Sequence, residues 1–109
     1  MYLTETAIMD SLRFVASMPE GSSITFDFRV PPSMLNPIER AIYEVMGQCA
    51  AAFGEPWTSA FEPAALREQV SRLGFSEVET FEPDELNRRY LYRRKDGLLT
   101  PGRLLRARV

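Results

Sequence analysis

Ser23-Ile24-Thr25-Phe26-Asp27-Phe28-Arg29-Val30 alternates polar and apolar side chains without a break, then meets Pro31-Pro32. Period-two alternation in a segment rich in β-formers dictates a strand. The prolines end it, because proline has no N–H to give to a sheet ladder. Any fold of this chain must therefore place a strand at 23–30.

The flanking segments follow a different period. Thr4 is a good N-cap, with Glu5 set against the positive end of a first helix whose Ile8, Leu12 and Val15 share one face. Pro19 and Gly21 stop it. Asn36-Pro37-Ile38-Glu39 reads as N-cap, N1 proline and N3 acid, a variant of the capping box. The helix it opens carries Ile38, Ile42, Val45, Cys49 and Phe53 on one side, and Gly54 ends it. After a loop from Glu55 to Phe61, Pro63 opens a third helix with Leu66, Val70 and Leu73 in register. Gly74-Phe75 closes that helix in the manner of a Schellman cap. Glu77–Phe81 alternates again as a second strand, and Pro83 begins a short helix towards Tyr90. Asp96-Gly97 is a turn signal. Leu105, Ala107 and Val109 alternate with Arg106 and Arg108 as a third strand.

The predicted order is helix, strand, helix, helix, strand, short helix, strand. Such alternation points to a layered α/β sheet of about three strands with flanking helices, the last two strands an antiparallel pair. With 109 residues, the chain forms one small domain or part of one. No apolar run approaches the roughly 18 residues a membrane span needs, and no signal segment is present. One cysteine rules out an internal disulfide framework, which makes the cytoplasm the expected compartment. The absence of histidine excludes histidine-based triads and argues against a dedicated transition-metal site.

Charge is uneven. Residues 1–81 carry five basic and eleven acidic side chains, a balance of −6, and residues 82–109 carry eight and four, a balance of +4. Arg88, Arg89, Arg93, Arg94 and Lys95 resemble a nucleic-acid patch, but Glu82, Asp84, Glu85 and Asp96 are interleaved with them. The expectation is a solvated mixed-charge face and no nucleic-acid partner. No G-x-G-x-x-G, G-x-x-x-x-G-K-[ST] or G-x-S-x-G occurs, so phosphate-cradling and nucleophile-elbow chemistry has no support. Cys49 falls in the apolar register of its helix, where a buried, inert thiol is expected. Asp27 projects to the face opposite Phe26 and Phe28. It is either a covered carboxylate in need of a partner or a solvated edge-strand charge. Trp57, the only tryptophan, either plugs the core or walls a pocket.

Several segments, taken in order, resemble one family: Met1-Tyr2-Leu3-Thr4, Ser23–Phe28, Gly54-Glu55-Pro56-Trp57-Thr58-Ser59-Ala60-Phe61 and Leu73-Gly74-Phe75. They continue with Leu86-Asn87-Arg88-Arg89-Tyr90, Asp96-Gly97-Leu98 and Arg106-Ala107-Arg108-Val109. Together they look like the C-terminal portion of the leucine carboxyl methyltransferase family, in its bacterial branch of S-adenosylmethionine-dependent O-methyltransferases. The resemblance implies the C-terminal half of a class I, Rossmann-like methyltransferase sheet, with 1–109 a single partial domain. It also implies that the glycine-rich half that holds S-adenosylmethionine is missing, so that no cofactor is bound by this chain alone. The strand at 23–30 would then be an open edge.

By the same resemblance, Tyr2, Trp57 and Tyr90 are candidates for lining a small-molecule methyl-acceptor pocket, with Asp27 and Glu55 orienting polar groups there. Two functional expectations follow. One is an acceptor-side methyltransferase fragment, inactive alone, whose edge strand 23–30 meets a separate N-terminal half. The other is a stand-alone, non-catalytic module that self-associates through that edge or binds a partner. A third, remoter possibility is an anion- or nucleic-acid-binding domain built on the basic C-terminal segment.

Overall fold

The computed structural model describes residues 1–96 and 102–109, so Gly97 and Leu98 of the turn signal and family segment lie outside the described residues. The elements run α1 (Glu5–Ala16), β1 (Ser23–Arg29), a 3-10 turn at Pro32–Met34, α2 (Pro37–Ala52), α3 (Pro63–Ser71), β2 (Glu77–Phe81), α4 (Pro83–Tyr90) and β3 (Gly102–Arg108). This is the predicted order.

Local chemistry sets the boundaries. The Thr4 side chain accepts from the Ala7 N–H and opens α1. Asn36 completes a full capping box: its Oδ1 accepts from the N–H groups of Ile38 and Glu39, and Glu39 accepts from the Asn36 N–H. Gly54 follows α2 at φ 79°, a left-handed conformation that only glycine adopts cheaply. Two boundaries differ from expectation. The third helix ends at Ser71, and turns through Arg72–Gly74 carry the chain on to Phe75. β3 begins at Gly102 rather than Leu105.

The sheet has the order β1-β3-β2, and β3 runs antiparallel to both neighbours. β1 and β2 are therefore parallel to each other, and the expected antiparallel pairing of the last two strands is present. One face carries Ile24, Phe26, Phe28, Leu105, Ala107 and Val78, with Phe26 opposite Leu105 and Val78 opposite Ala107. Helices α1 and α3 cover this face, contributing Leu12, Leu66 and Val70 to one core with Val30, Leu35, Phe61 and Phe75. Leu66, Val70 and Leu105 are fully buried, each stabilising the fold by about 1.5–3 kcal/mol relative to exposure. The opposite face is polar. Arg106 and Arg108 of β3 stand across from Glu79 and Glu77 of β2 and pair with them.

One expectation fails outright. Of the Ile38–Ile42–Val45–Cys49–Phe53 side of α2 all but Ile42 face outward: Ile38, Val45 and Cys49 are exposed, and Phe53 is 86 % accessible. The half-buried positions are Glu39, Ile42, Tyr43, Gly47 and Ala50. Cys49 is accordingly an exposed thiol, not a core one. The physical reason lies in β1, whose Arg29 draws Tyr43 rather than the aliphatic stripe.

Outside this core the chain leaves more surface exposed than its mass predicts. The accessible surface is 7109 Å², against ~6,100 Å² expected for a folded chain of 12.4 kDa. The radius of gyration, 15.1 Å, likewise exceeds the ~13 Å expected at this length.

Candidate functional site

β1 lies at a sheet edge, bonded to β3 on one side. On its other side, the carbonyl of Arg29 accepts from the Phe61 N–H at 2.8 Å, so the loop before α3 caps the strand's C-terminal end. Towards Thr25 and Asp27 no backbone partner occupies that edge among the described residues. A cleft of about 250 Å³ runs beside it, walled by Leu12, Ile24, Phe26, Phe28 and Phe61, with Asp27 and Arg29 also lining it. Asp27 is exposed and makes no ion pair among the described residues, which makes it the solvated edge-strand charge of the two alternatives.

Arg29 is the unusual group here. It points to the polar face, yet its residue is only 6 % accessible. Its Nε and Nη2 donate to the carbonyl of Ser59 at 3.2 and 2.8 Å. The guanidinium carbon lies 4.9 Å from the ring centre of Tyr43 and 4.5 Å from that of Trp57. The two rings meet edge to face, 5.3 Å apart and at 72°. Cation–π contact and one carbonyl thus hold a buried cation, and no carboxylate approaches within ion-pair distance among the described residues. Burial pulls the Arg29 pKa below its ordinary value, with Tyr43 opposing weakly. The indole Nε1 of Trp57 is also buried and has no hydrogen-bond partner among the described residues.

The N-terminal segment is tied to the same loop. The Thr58 N–H donates to the Met1 carbonyl at 3.1 Å, and Thr58 Oγ1 lies 2.9 Å from the Leu3 carbonyl. This anchors Tyr2 beside Glu55 in a shallow cleft of about 400 Å³ that also includes Gly54 and Pro56. Trp57 lines a neighbouring cleft of about 440 Å³ with Arg29, Tyr43 and Pro56.

The five candidate residues therefore do not converge on one pocket. Tyr2 and Glu55 share a cleft, Trp57 belongs to the next one, and Asp27 lies on the β1 edge. Tyr90 is 72 % accessible at the end of α4 and lines none of these three clefts. Sequence reasoning missed Arg29 and Tyr43. The available signal was a cation on the polar side of a strand, two residues beyond Asp27, ahead of a helix that carries Tyr43 and a loop that carries the only tryptophan.

The basic C-terminal segment is heavily ion-paired. Arg89 meets Glu85, Arg94 meets Asp96, Arg103 meets Glu82, and Arg106 and Arg108 meet the β2 glutamates. Arg94 holds the Asp96 carboxyl down to about 2. Among the described residues no cluster of His, Cys, Asp or Glu is placed to hold a metal ion, and no helix is long and apolar enough to cross a membrane.

Comparison of the chain with family models, with curated proteins and with solved structures finds no match.

Proposed function

We propose that the chain is the acceptor-side, C-terminal part of an S-adenosylmethionine-dependent O- or carboxyl-methyltransferase, and that it has no methyltransferase activity alone. Supporting this reading is the open edge of β1 beside an apolar cleft, the place where the resemblance expects a neighbouring strand. In this reading Tyr2, Trp57 and Glu55 belong to the acceptor side, and Asp27 and Tyr90 lie apart from them, on the β1 edge and at the end of α4.

The cleft beside β1 does not fit the methyl donor. It has no glycine in its lining, so it offers no close backbone approach of the kind the donor's carboxypropyl end needs. Methyl transfer depends on holding donor and acceptor in line. A calorimetric titration with S-adenosylhomocysteine tests this. No saturable heat at millimolar ligand, in a folded sample, is the expected result. Saturable binding would mean that association completes a donor site, and the inactive-alone reading would fall.

The second reading, a stand-alone, non-catalytic module that self-associates through strand 23–30 or binds a partner, is favoured by the surface excess. About 1,000 Å² more is exposed than a chain of this mass should leave, comparable to one partner's ~800 Å² share of a standard interface. Light scattering should detect self-association as concentration rises. A clean monomer at high concentration would sink self-pairing.

A further inference from the structure

The cleft between α2 and the Pro56–Trp57 segment has a chemistry that none of these readings uses. Arginine is almost never this buried unless it is paired. Arg29 is 6 % accessible and has no carboxylate in ion-pair range among the described residues. A guanidinium carries five N–H donors in a fixed fork. Nε and Nη2 are directed to the Ser59 carbonyl, and among the described residues Nη1 donates to no protein atom. The aromatic faces of Tyr43 and Trp57 hold the cation in place but do not neutralise it. Desolvation makes such a charge a strong attractor for an anion that can reach it.

The space beside it suits a particular kind of anion. It is a shallow, largely open groove of about 440 Å³, and Pro56, Trp57, Tyr43 and Ala51 give it an apolar lining. One carboxylate, Glu44, also lines the cleft and opposes a second negative charge.

We propose that this cleft binds a small organic anion, an oxyanion carried on an apolar body of about one ring. Arg29 Nη1 takes the oxyanion, and Trp57, Pro56 and Tyr43 take the body. The inference goes beyond the methyl-transfer reading and stands without it, because it rests on the unpaired charge and the cleft walls alone.

The chain supplies its own reporter, since Trp57 is the only tryptophan and lies against the guanidinium. Its emission should change saturably on titration with benzoate or phenyl phosphate at constant ionic strength. The neutral isostere benzamide should bind at least tenfold more weakly. Ala51→Phe fills the cleft from an exposed helix position and should weaken benzoate at least tenfold with Arg29 intact. Glu44→Gln should tighten it several-fold. Arg29→Gln should abolish it, and Ala51→Phe decides the matter if that variant does not fold. An unsaturable benzoate response, equal binding of benzamide, or unchanged affinity in Ala51→Phe would overturn the proposal. The experiment contains no methyl donor, so a failed S-adenosylhomocysteine titration leaves it standing.

Discussion

Helices α2 and α3 were equally legible in the sequence and have opposite fates in the fold. α2 has 16 residues, a complete capping box and a continuous aliphatic stripe, yet it buries no side chain fully. α3 has nine residues and a less apolar composition, and it buries Leu66 and Val70 completely. The difference is what each helix meets. α3 lies across β2 and β3, whose Leu105 and Ala107 complete its apolar contacts. α2 meets the polar face of β1, where Arg29 accepts only an aromatic, so Tyr43 turns in and the aliphatic stripe, Ile42 apart, turns out. Amphipathicity shows that a helix has an apolar side. It does not show which side a charged neighbour will prefer.

The largest effect should come from breaking this contrast directly. Leu66→Ala removes a fully buried side chain from α3 and should cost about 2–5 kcal/mol, read from urea denaturation. Val45→Ala on α2, at a residue 61 % accessible, should stay within about 0.5 kcal/mol. If Val45→Ala instead costs as much as Leu66→Ala, the outer stripe of α2 is covered in solution and the contrast collapses.

What could be read in advance follows the same division. Element order, strand phase and caps depend on residues within a few positions of one another, and Thr4, Asn36, Pro63 and Glu77–Phe81 announced them correctly. The antiparallel β2–β3 pair was legible too, because both strands alternate and a turn signal stands between them. The orientation of α2 was not. It depends on Arg29 meeting Tyr43 and Trp57 across 14 and 28 residues, and a local pattern carries no record of that. Cys49 was misplaced for the same reason: its register predicted company, and the company went to Tyr43. The candidate site was half-legible. The 54–61 loop is conspicuous in the sequence for its tryptophan, but the cation that organises the Trp57 cleft is not, because Arg29 lies 28 residues away.

A smaller effect sharpens the comparison at the helix starts. Asn36→Ala removes the acceptor for two N–H groups and should cost about 1 kcal/mol. Because α2 is weakly anchored, the loss should appear first as faster amide exchange along α2, with the core amides of β3 little changed. In α3, Glu62 caps the Ala64 and Ala65 N–H groups, and Leu66 and Val70 pin the helix from below. Glu62→Ala should therefore move exchange in α3 and in the core together. Uniform acceleration over the whole chain in Asn36→Ala would show that α2 is coupled to the core after all.

The smallest effect extends the rule from apolar contacts to charges. Arg94 and Asp96 form an ion pair in the turn after α4, with both side chains well exposed. Arg94 depresses the Asp96 carboxyl to about 2, chiefly through their hydrogen bond, from about 3.9 in an unfolded chain. A depressed carboxylate contributes stability that is present above about pH 4 and is lost as pH falls through 2. Solvent screens the pair, and exposed ion pairs commonly contribute nothing measurable. Screening shrinks both readouts together, so an NMR titration should find the Asp96 midpoint lowered by less than the unscreened pair alone would give, and Asp96→Asn should leave the Tm at pH 7 nearly unchanged. A clear drop in Tm for Asp96→Asn would show that the turn is held against the body of the fold, and that exposure is a poorer guide to what matters here than the contrast between α2 and α3 implies.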